Sequence, residues 1–518
     1  MVSIIWKRTL LRLLGLLRPR RTWKYFICSG MGLYVVSCLL FASRPLFSSR
    51  LPAYTGPYSV GTIDLEIPTE RRTIIHGARF KDSDDPAFLL ETVLFTLYYP
   101  TAKGSVSNKP HHLWIPRPLG IVAAGYARFA HFSNVVSNAV LTFGLWFLVG
   151  GTKIPALVDV PLHKDTTVVL QSPEPLNVPV DTEDGGYPVM LFSHGMASSR
   201  TQYTQYCGEL ASRGIIVAAI EHRDGSGPGT VIMAPDGKHR TLLHFSHSDL
   251  RGDGDLDVET FKQAQLDFRQ AEVEEIVRVL THINDGHGQR VFSANARGEG
   301  EHLHQWKGRL ALNNATVMGG HSFGATLALQ TLRNGPSSVL PFKAAVVLDP
   351  GKQSGPLNHD VRVSTLIIHS NSWSRQRSIF FGRAHFDVVK DVVQGILSRG
   401  KAAWFLTSLG TSHPSVTDAP LLEPWLLGWT TGSTIDAHEG VRQYVKVSDE
   451  FLRYQATGQP TGLLSECVTH PEYNVADKNN TVVDDPRWSE TFSKYWQIHV
   501  APCSATSEDE KEEEEEEP

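Results

Sequence analysis

Cysteine is scarce in this chain. Its five residues, Cys28, Cys38, Cys207, Cys467 and Cys503, are too few for a scaffold built on disulfides. No CxxC pair or Cys/His cluster is present, so the usual zinc signatures are missing too. Whether Cys467 pairs with Cys503 is left open by spacing alone. Acid is absent before Asp64, while residues 1–24 carry seven Lys/Arg. The other end reverses the sign: residues 508–517 hold nine acids and one Lys. The body between is mildly acidic, which gives nucleic acid no basic face to bind. No internal repeat is present.

Long apolar runs are also few. Residues 25–43, "YFICSGMGLYVVSCLLFAS", carry no charge and follow the basic segment 1–24. Roughly 20 residues at ~1.5 Å rise span about 30 Å of hydrocarbon. The run starts late for a signal peptide and lacks a clear A-x-A cleavage site. The expectation is therefore a single-pass membrane anchor, with positive charge inside and the body on the non-cytosolic side. Cleavage and secretion, or a mitochondrial presequence, are the alternatives. A linker follows at 44–53, then a catalytic domain over 54–458. Residues 459–518 read as a tail, acidic and disordered from about 504. The second apolar run, 139–150 "AVLTFGLWFLVG", is too short to span. It reads either as a buried helix or as a surface helix docked on lipid.

From residue 188 onward two textures alternate. Continuous apolar, β-branched runs occur at 188–194, 214–222, 315–322, 343–350, 364–370 and 402–408. Runs of that kind suit strands buried on both faces of a parallel sheet. Between them, residues 261–283 place Val273, Ile276, Val277, Leu280 and Ile283 on one helical face, and 325–336 ends at Gly335-Pro336. Strand–helix alternation predicts an α/β fold: a mostly parallel central sheet with helices on both faces.

The chemistry centres on "GGHSFGAT", residues 319–326, which fits G-x-S-x-G. The motif alone is short. Its context is specific: a strand before it, a helix after it, and small residues at 319, 320, 324 and 325. Ser322 is the candidate nucleophile of an α/β-hydrolase fold. In that fold an acid and then a histidine follow, each beyond a later strand. Asp349 ends "AAVVLD" and is the first choice of acid, ahead of Asp360, Asp387 and Asp391. His413, in "LGTSHPS" after the last strand, is the first choice of base, ahead of His369 and His438. Oxyanion donors would be the N–H of Phe323, after the nucleophile, and that of Met196, beside Gly195 in "LFSHGMASS".

Several separated blocks resemble the platelet-activating factor acetylhydrolase family, the plasma and intracellular single-chain α/β-hydrolases. They include "GPYSVGTIDLEI", "VMLFSHGMASSRTQY", "ELASRGIIVAAIEHRDGSG", "GGHSFGATLALQTL", "VVLDP" and "LGTSHPSVTDAP". The resemblance covers roughly residues 54–457, with insertions near 158–187 and 225–260. It implies the triad Ser322, Asp349 and His413, with Met196 and Phe323 as oxyanion donors. It further implies a calcium-independent esterase with no cofactor or metal, acting on phospholipids with acetyl, short or oxidised sn-2 chains at a lipid membrane. Two features depart from the family: the added ends, and "DPGKQSGPL" where a relative has an aromatic after the acid. Oligomeric state is not legible.

Overall fold

A computed structural model of the protein describes residues 22–40, 50–164, 185–234, 237, 239–252, 257–375, 379–380, 382–473 and 490–502. All six apolar runs from residue 188 onward form strands: Val189–Ser193, Ile216–Glu221, Thr316–His321, Ala344–Leu348, Ser364–Ser370 and Ala403–Ser408. In space they run 216–221, 189–193, 316–321, 344–348, 364–370, 403–408, each parallel to the next. Leu89–Thr101 and Ser59–Thr73 extend the sheet antiparallel on the 216–221 side. Alternate side chains face opposite ways along a strand, so each strand feeds two cores. Val189 and Leu191 pack with the helices Val258–His282, Phe323–Thr331 and His385–Ser398. Met190 and Phe192 pack with Thr204–Ala211 and Ala437–Thr457 on the other face. This is the expected α/β architecture, with helices on both faces.

The strand order turns back once. Strand 189–193 is followed in the chain by its neighbour on one side, 216–221, and later by its neighbour on the other, 316–321. At such a switch point the loops leaving adjacent carboxyl ends diverge and open a crevice. The two loops that diverge here carry Met196 and Ser322.

Four features differ from the reading of the sequence or refine it. First, the run 139–150 lies within a helix, Val135–Val149, of which only Val149 is buried. Val135, Val136, Val140, Phe143 and Trp146 are exposed, so a buried helix is ruled out. Second, the sheet extends past the expected boundary at 458. Trp496–Val500 adds an antiparallel edge to strand 403–408, because Trp496, Ile498 and Val500 offer an apolar face to the cores. Third, the insertion 225–260 contributes a hairpin, Gly229–Met233 with His239–Leu243. Fourth, the expected anchor 25–43 overlaps the helix Trp23–Leu40. Among the described residues no helix is long and apolar enough to cross a membrane. At ~1.5 Å per residue this one reaches about 27 Å, against ~30 Å of hydrocarbon. Residues 1–21 of the basic segment 1–24, residues 41–43 of the expected anchor, residues 44–49 of the expected linker and the acidic end from 503 lie outside the described residues. Cys467 is disulfide-bonded, while Cys503 is likewise outside them.

The loop that carries His413 is tied to the helix that follows the Met196 loop. The buried Asp418 carboxylate accepts hydrogen bonds from Thr204 N–H, Thr204 Oγ1–H and Gln205 N–H, each at 2.8 Å, and from Trp114 Nε1–H at 3.0 Å. Removing the carboxylate strands four buried donors. Asp418→Ala is expected to lower unfolding free energy by about 2–4 kcal/mol, read from the denaturant midpoint.

Candidate active site

Ser322 joins strand Thr316–His321 to helix Phe323–Thr331 with φ 57° and ψ −118°. A positive φ on a non-glycine residue costs on the order of 1–3 kcal/mol, so the surroundings must hold it. They do so through close backbone approach. A Cβ on Gly320 would lie 2.2 Å from Gly324 O, and one on Gly324 would lie 2.1 Å from Ser193 O. The glycines of the motif therefore let strand, helix and neighbouring strand meet. On the facing loop, a Cβ on Gly195 would lie 3.0 Å from Ser322 Cβ.

Phe323 opens its helix, where the N–H has no intrahelical acceptor. Met196 precedes Ala197, which has φ 54° and donates its N–H to Ser226 O at 2.8 Å. Among the described residues neither Met196 N–H nor Phe323 N–H has an acceptor. Two unclaimed donors on loops flanking a serine are the parts of an oxyanion hole.

Asp349 and His413 come together from strands two places apart. Asp349 directly follows strand 344–348, also with positive φ, 47°. Its carboxylate accepts Ser370 N–H at 2.6 Å, Ser370 Oγ–H at 2.7 Å and His413 Nδ1–H at 2.8 Å. A carboxylate only accepts, so Nδ1 carries the proton and Nε2 is left as the base. The His413 ring lies between two others: Trp373 at 3.9 Å and 10°, and His321 at 4.4 Å and 37°. His321 is the residue before Ser322, so the stack sets the imidazole beside the elbow. Burial, then the nearby His413, pushes His321 well below the ordinary histidine range, and it stays neutral. Its Nδ1 and the Tyr203 hydroxyl share a hydrogen bond at 2.9 Å, and Tyr203 Oη accepts Gly195 N–H at 3.2 Å. Among the described residues no hydrogen bond joins Ser322 Oγ to His413; such bonds commonly tighten only with substrate in place.

The ligating atoms of His321, Asp349 and His413 lie within 4.8 Å of one another, a spacing a metal could use. The carboxylate's bonds to Ser370 and His413 fit an oriented imidazole better than a metal ligand set. The competing residues fall elsewhere. Asp360 pairs with Arg362 and Asp391 with Arg383, and Asp387 sits in the first turn of helix 385–398. His369 is buried against His385 and Phe405, and His438 is exposed beside Asp436.

Several contributors were not legible as such. Trp373 gave no pattern; it comes from the short helix Asn371–Arg375 that follows strand 364–370. Its indole N–H donates to Pro350 O at 3.0 Å, which pins the ring against His413. The block "EHRDGSG" was visible, but its role was not. Asp224 pairs with Arg269 at 2.7 Å, both fully buried, and Arg269 Nη1 donates to His194 O at 2.8 Å. Burial would raise the Asp224 carboxyl, but the Arg269 guanidinium overrides it and holds it below its ordinary range. The pair thus clamps the loop one residue before Gly195. A cavity of about 720 Å³ opens beside Ser322, lined in part by Met196, Phe323 and Trp373, with His244 and Phe245 from the 225–260 insertion.

An elbow serine at the switch point, an imidazole oriented by a buried carboxylate and two free backbone donors define a serine hydrolase of the α/β-hydrolase class. The profile of the platelet-activating factor acetylhydrolase, isoform II family matches residues 46–459. The chain belongs to that family. A putative phospholipase A2 of Schizosaccharomyces pombe is 26% identical over 443 residues, covering 79% of this chain and 93% of that protein. The platelet-activating factor acetylhydrolase of Cavia porcellus is 27% identical over 308 residues, covering 58% of this chain and 56% of that protein. That of Canis lupus familiaris is 28% identical over 314 residues, covering 60% and 57%. The match thus spans little more than half the length of these mammalian relatives. Among solved structures, a ferulic acid esterase from Streptomyces cinnamoneus aligns with TM-score 0.48 and 16% identity, over 81% of this chain and 97% of that one. The fold assignment rests on the strand order and the elbow.

Trp373→Ala removes the ring stacked on His413 and is expected to lower kcat roughly 10- to 100-fold. Trp373→Phe, which keeps a ring to stack, should recover most of that loss in the same steady-state assay.

Proposed function

We propose that the chain is a calcium-independent serine esterase of the phospholipase type, with the sn-2 acyl ester of platelet-activating-factor-like phospholipids as substrate. Acetyl, short or oxidised chains fit this reading. The observation that carries it is the Asp349-oriented His413 beside the Ser322 elbow, at a cavity open to an apolar surface. His413 Nε2 takes the Ser322 proton as Oγ attacks the ester carbonyl. The N–H groups of Met196 and Phe323 hold the oxyanion. The lysophospholipid leaves with the proton from His413, and water activated by the same base then releases the acyl group as carboxylate.

The surface supports a lipid interface as partner. Phe129 lines the cavity and is 42% exposed. Phe132, Val136, Val140, Phe143 and Trp146 continue the exposed apolar face from it. Adjacent large apolar side chains left open to solvent mark an interaction site. A helix laid into the headgroup region would bring the cavity mouth to the substrate. This contact, rather than a bilayer-spanning segment, is the proposed link to the membrane.

Ser322→Ala and His413→Ala are each expected to reduce kcat by roughly 10⁴-fold or more. Ser322→Ala should also abolish labelling by a fluorophosphonate probe; near-full activity in that variant would overturn the reading. A panel of sn-2 acetyl phospholipid, long-acyl phospholipid and a simple aryl ester tests the substrate, and equal rates on all three would mark a generic esterase. The double substitution Phe143→Ser, Trp146→Ser should slow hydrolysis of vesicle-borne substrate several-fold more than hydrolysis of a water-soluble ester.

A further inference from the structure

The cavity beside Ser322 has an unusual charge for this protein. The chain's net charge is −5. Yet among the described residues lining the cavity Lys262 and Lys352 are cationic and none is Asp or Glu. Local sign reversal in a cleft selects the charge of what enters it.

Each of the two lysines lies against an aromatic ring that also lines the cavity. Lys262 Nζ sits 5.1 Å from the ring centroid of Phe323, the residue whose N–H is an oxyanion donor, and 5.6 Å from that of Phe261. It donates to Gln265 Oε1 at 3.1 Å. Among the described residues no carboxylate lies within ion-pair distance of it; Asp224, the nearest acid to influence it, is already paired with Arg269. Lys352 follows Asp349 by three residues, in the "DPGKQSGPL" segment. Its Nζ donates to Trp373 O at 2.8 Å and lies 4.3 Å from the Trp373 ring centroid, on the ring that stacks against His413. Burial pushes both ammonium groups down to about 8, so both remain charged at neutral pH but poorly solvated. Ring faces repay part of that desolvation, as the Asp349 carboxylate does for Lys352, and an anion brought to Lys262 by a ligand would repay more.

We propose that this cavity is an anion-selecting subsite in which Lys262 and Lys352 hold a negatively charged group carried by the ester substrate, either a phosphate or a terminal carboxylate. The inference rests on the reading that the cavity receives the scissile ester, and it goes beyond that reading by naming what the substrate must carry. The two sources place the charge on opposite sides of the ester. A phosphate lies on the leaving alcohol; a carboxylate lies at the end of the acyl chain.

The test is steady-state kinetics of the purified full-length protein on three esters. They are a neutral aryl acetate, the aryl hemiester of glutaric acid, and a sn-2 acetyl phosphatidylcholine below its aggregation threshold, which is zwitterionic overall and anionic at its phosphate. The readout is the ratio of kcat/KM on each anionic ester to that on the neutral one, so a general loss of activity cancels. Lys262→Gln and Lys352→Gln are each expected to lower the ratio for at least one anionic ester by roughly tenfold or more. Lys262→Arg and Lys352→Arg, which keep the charge, should hold it within about threefold of the wild-type value. A drop confined to the phospholipid assigns the phosphate, and a drop confined to the hemiester assigns the acyl carboxylate. Unchanged ratios for both anionic esters in the Gln variants would overturn the proposal, even if all three rates fell together. If Lys352→Gln does not fold, the Lys262 pair decides. Failure of the wild-type protein to cleave the phospholipid would refute the phospholipase reading, while the hemiester ratio would still judge the subsite.

Discussion

The backbone at Ser322 is the constraint on which the site depends. A strand must become a helix within one residue, at φ 57°, while pressed against a neighbouring strand. Gly320 and Gly324 make that possible, because any side chain there would collide with Gly324 O or Ser193 O. Once the turn is made, three consequences follow together. The serine is lifted to the end of the sheet. The helix begins at Phe323 with its first N–H unclaimed. The approach to strand 189–193 brings Gly195 against the serine, and with it the second donor.

Around that turn, rigidity comes from buried polar groups rather than from the apolar cores alone. The Asp224–Arg269 pair and the Asp418 carboxylate each fasten a loop that bears on the reaction. Loops built this way lose their geometry sharply when one partner is removed, because the other is left buried and uncompensated. The same logic explains the aromatic sandwich on His413. A half-exposed imidazole held by one hydrogen bond could still rotate about it; the flat stack on Trp373 removes that freedom.

The family's common chemistry and this chain's own features occupy different places. The candidate triad and oxyanion donors sit just beyond the carboxyl ends of the parallel strands. The cavity's lining comes partly from the 225–260 insertion, and its charge from Lys262 and Lys352. Phe129, which lines the cavity, is exposed, as are Val135, Val136, Val140, Phe143 and Trp146 of the helix that follows. Reaction type and substrate choice are thereby carried by separate parts of the chain, as expected where one fold serves many esters.

How much was legible follows from which interactions are local. Parallel strands buried on both faces must be continuous apolar runs, so all six could be read directly. The elbow could be read because its requirements, small residues between strand and helix, fall within eight consecutive positions. Asp349 and His413 could be placed because the fold dictates that such residues follow later strands. What sequence did not reveal depends on contacts between distant segments. Trp496–Val500 looked like tail until strand 403–408 gave it a partner. The run 139–150 has the same letters whether it faces a core or solvent. Trp373 matters only because the chain returns its ring to His413, and Lys262 and Lys352, 90 positions apart, share a cavity only once the sheet is formed. Local pattern determined the strands, the turn and the order of the triad; the tertiary structure alone decided which side chains and charges surround it, because those neighbours are set by packing across the sheet.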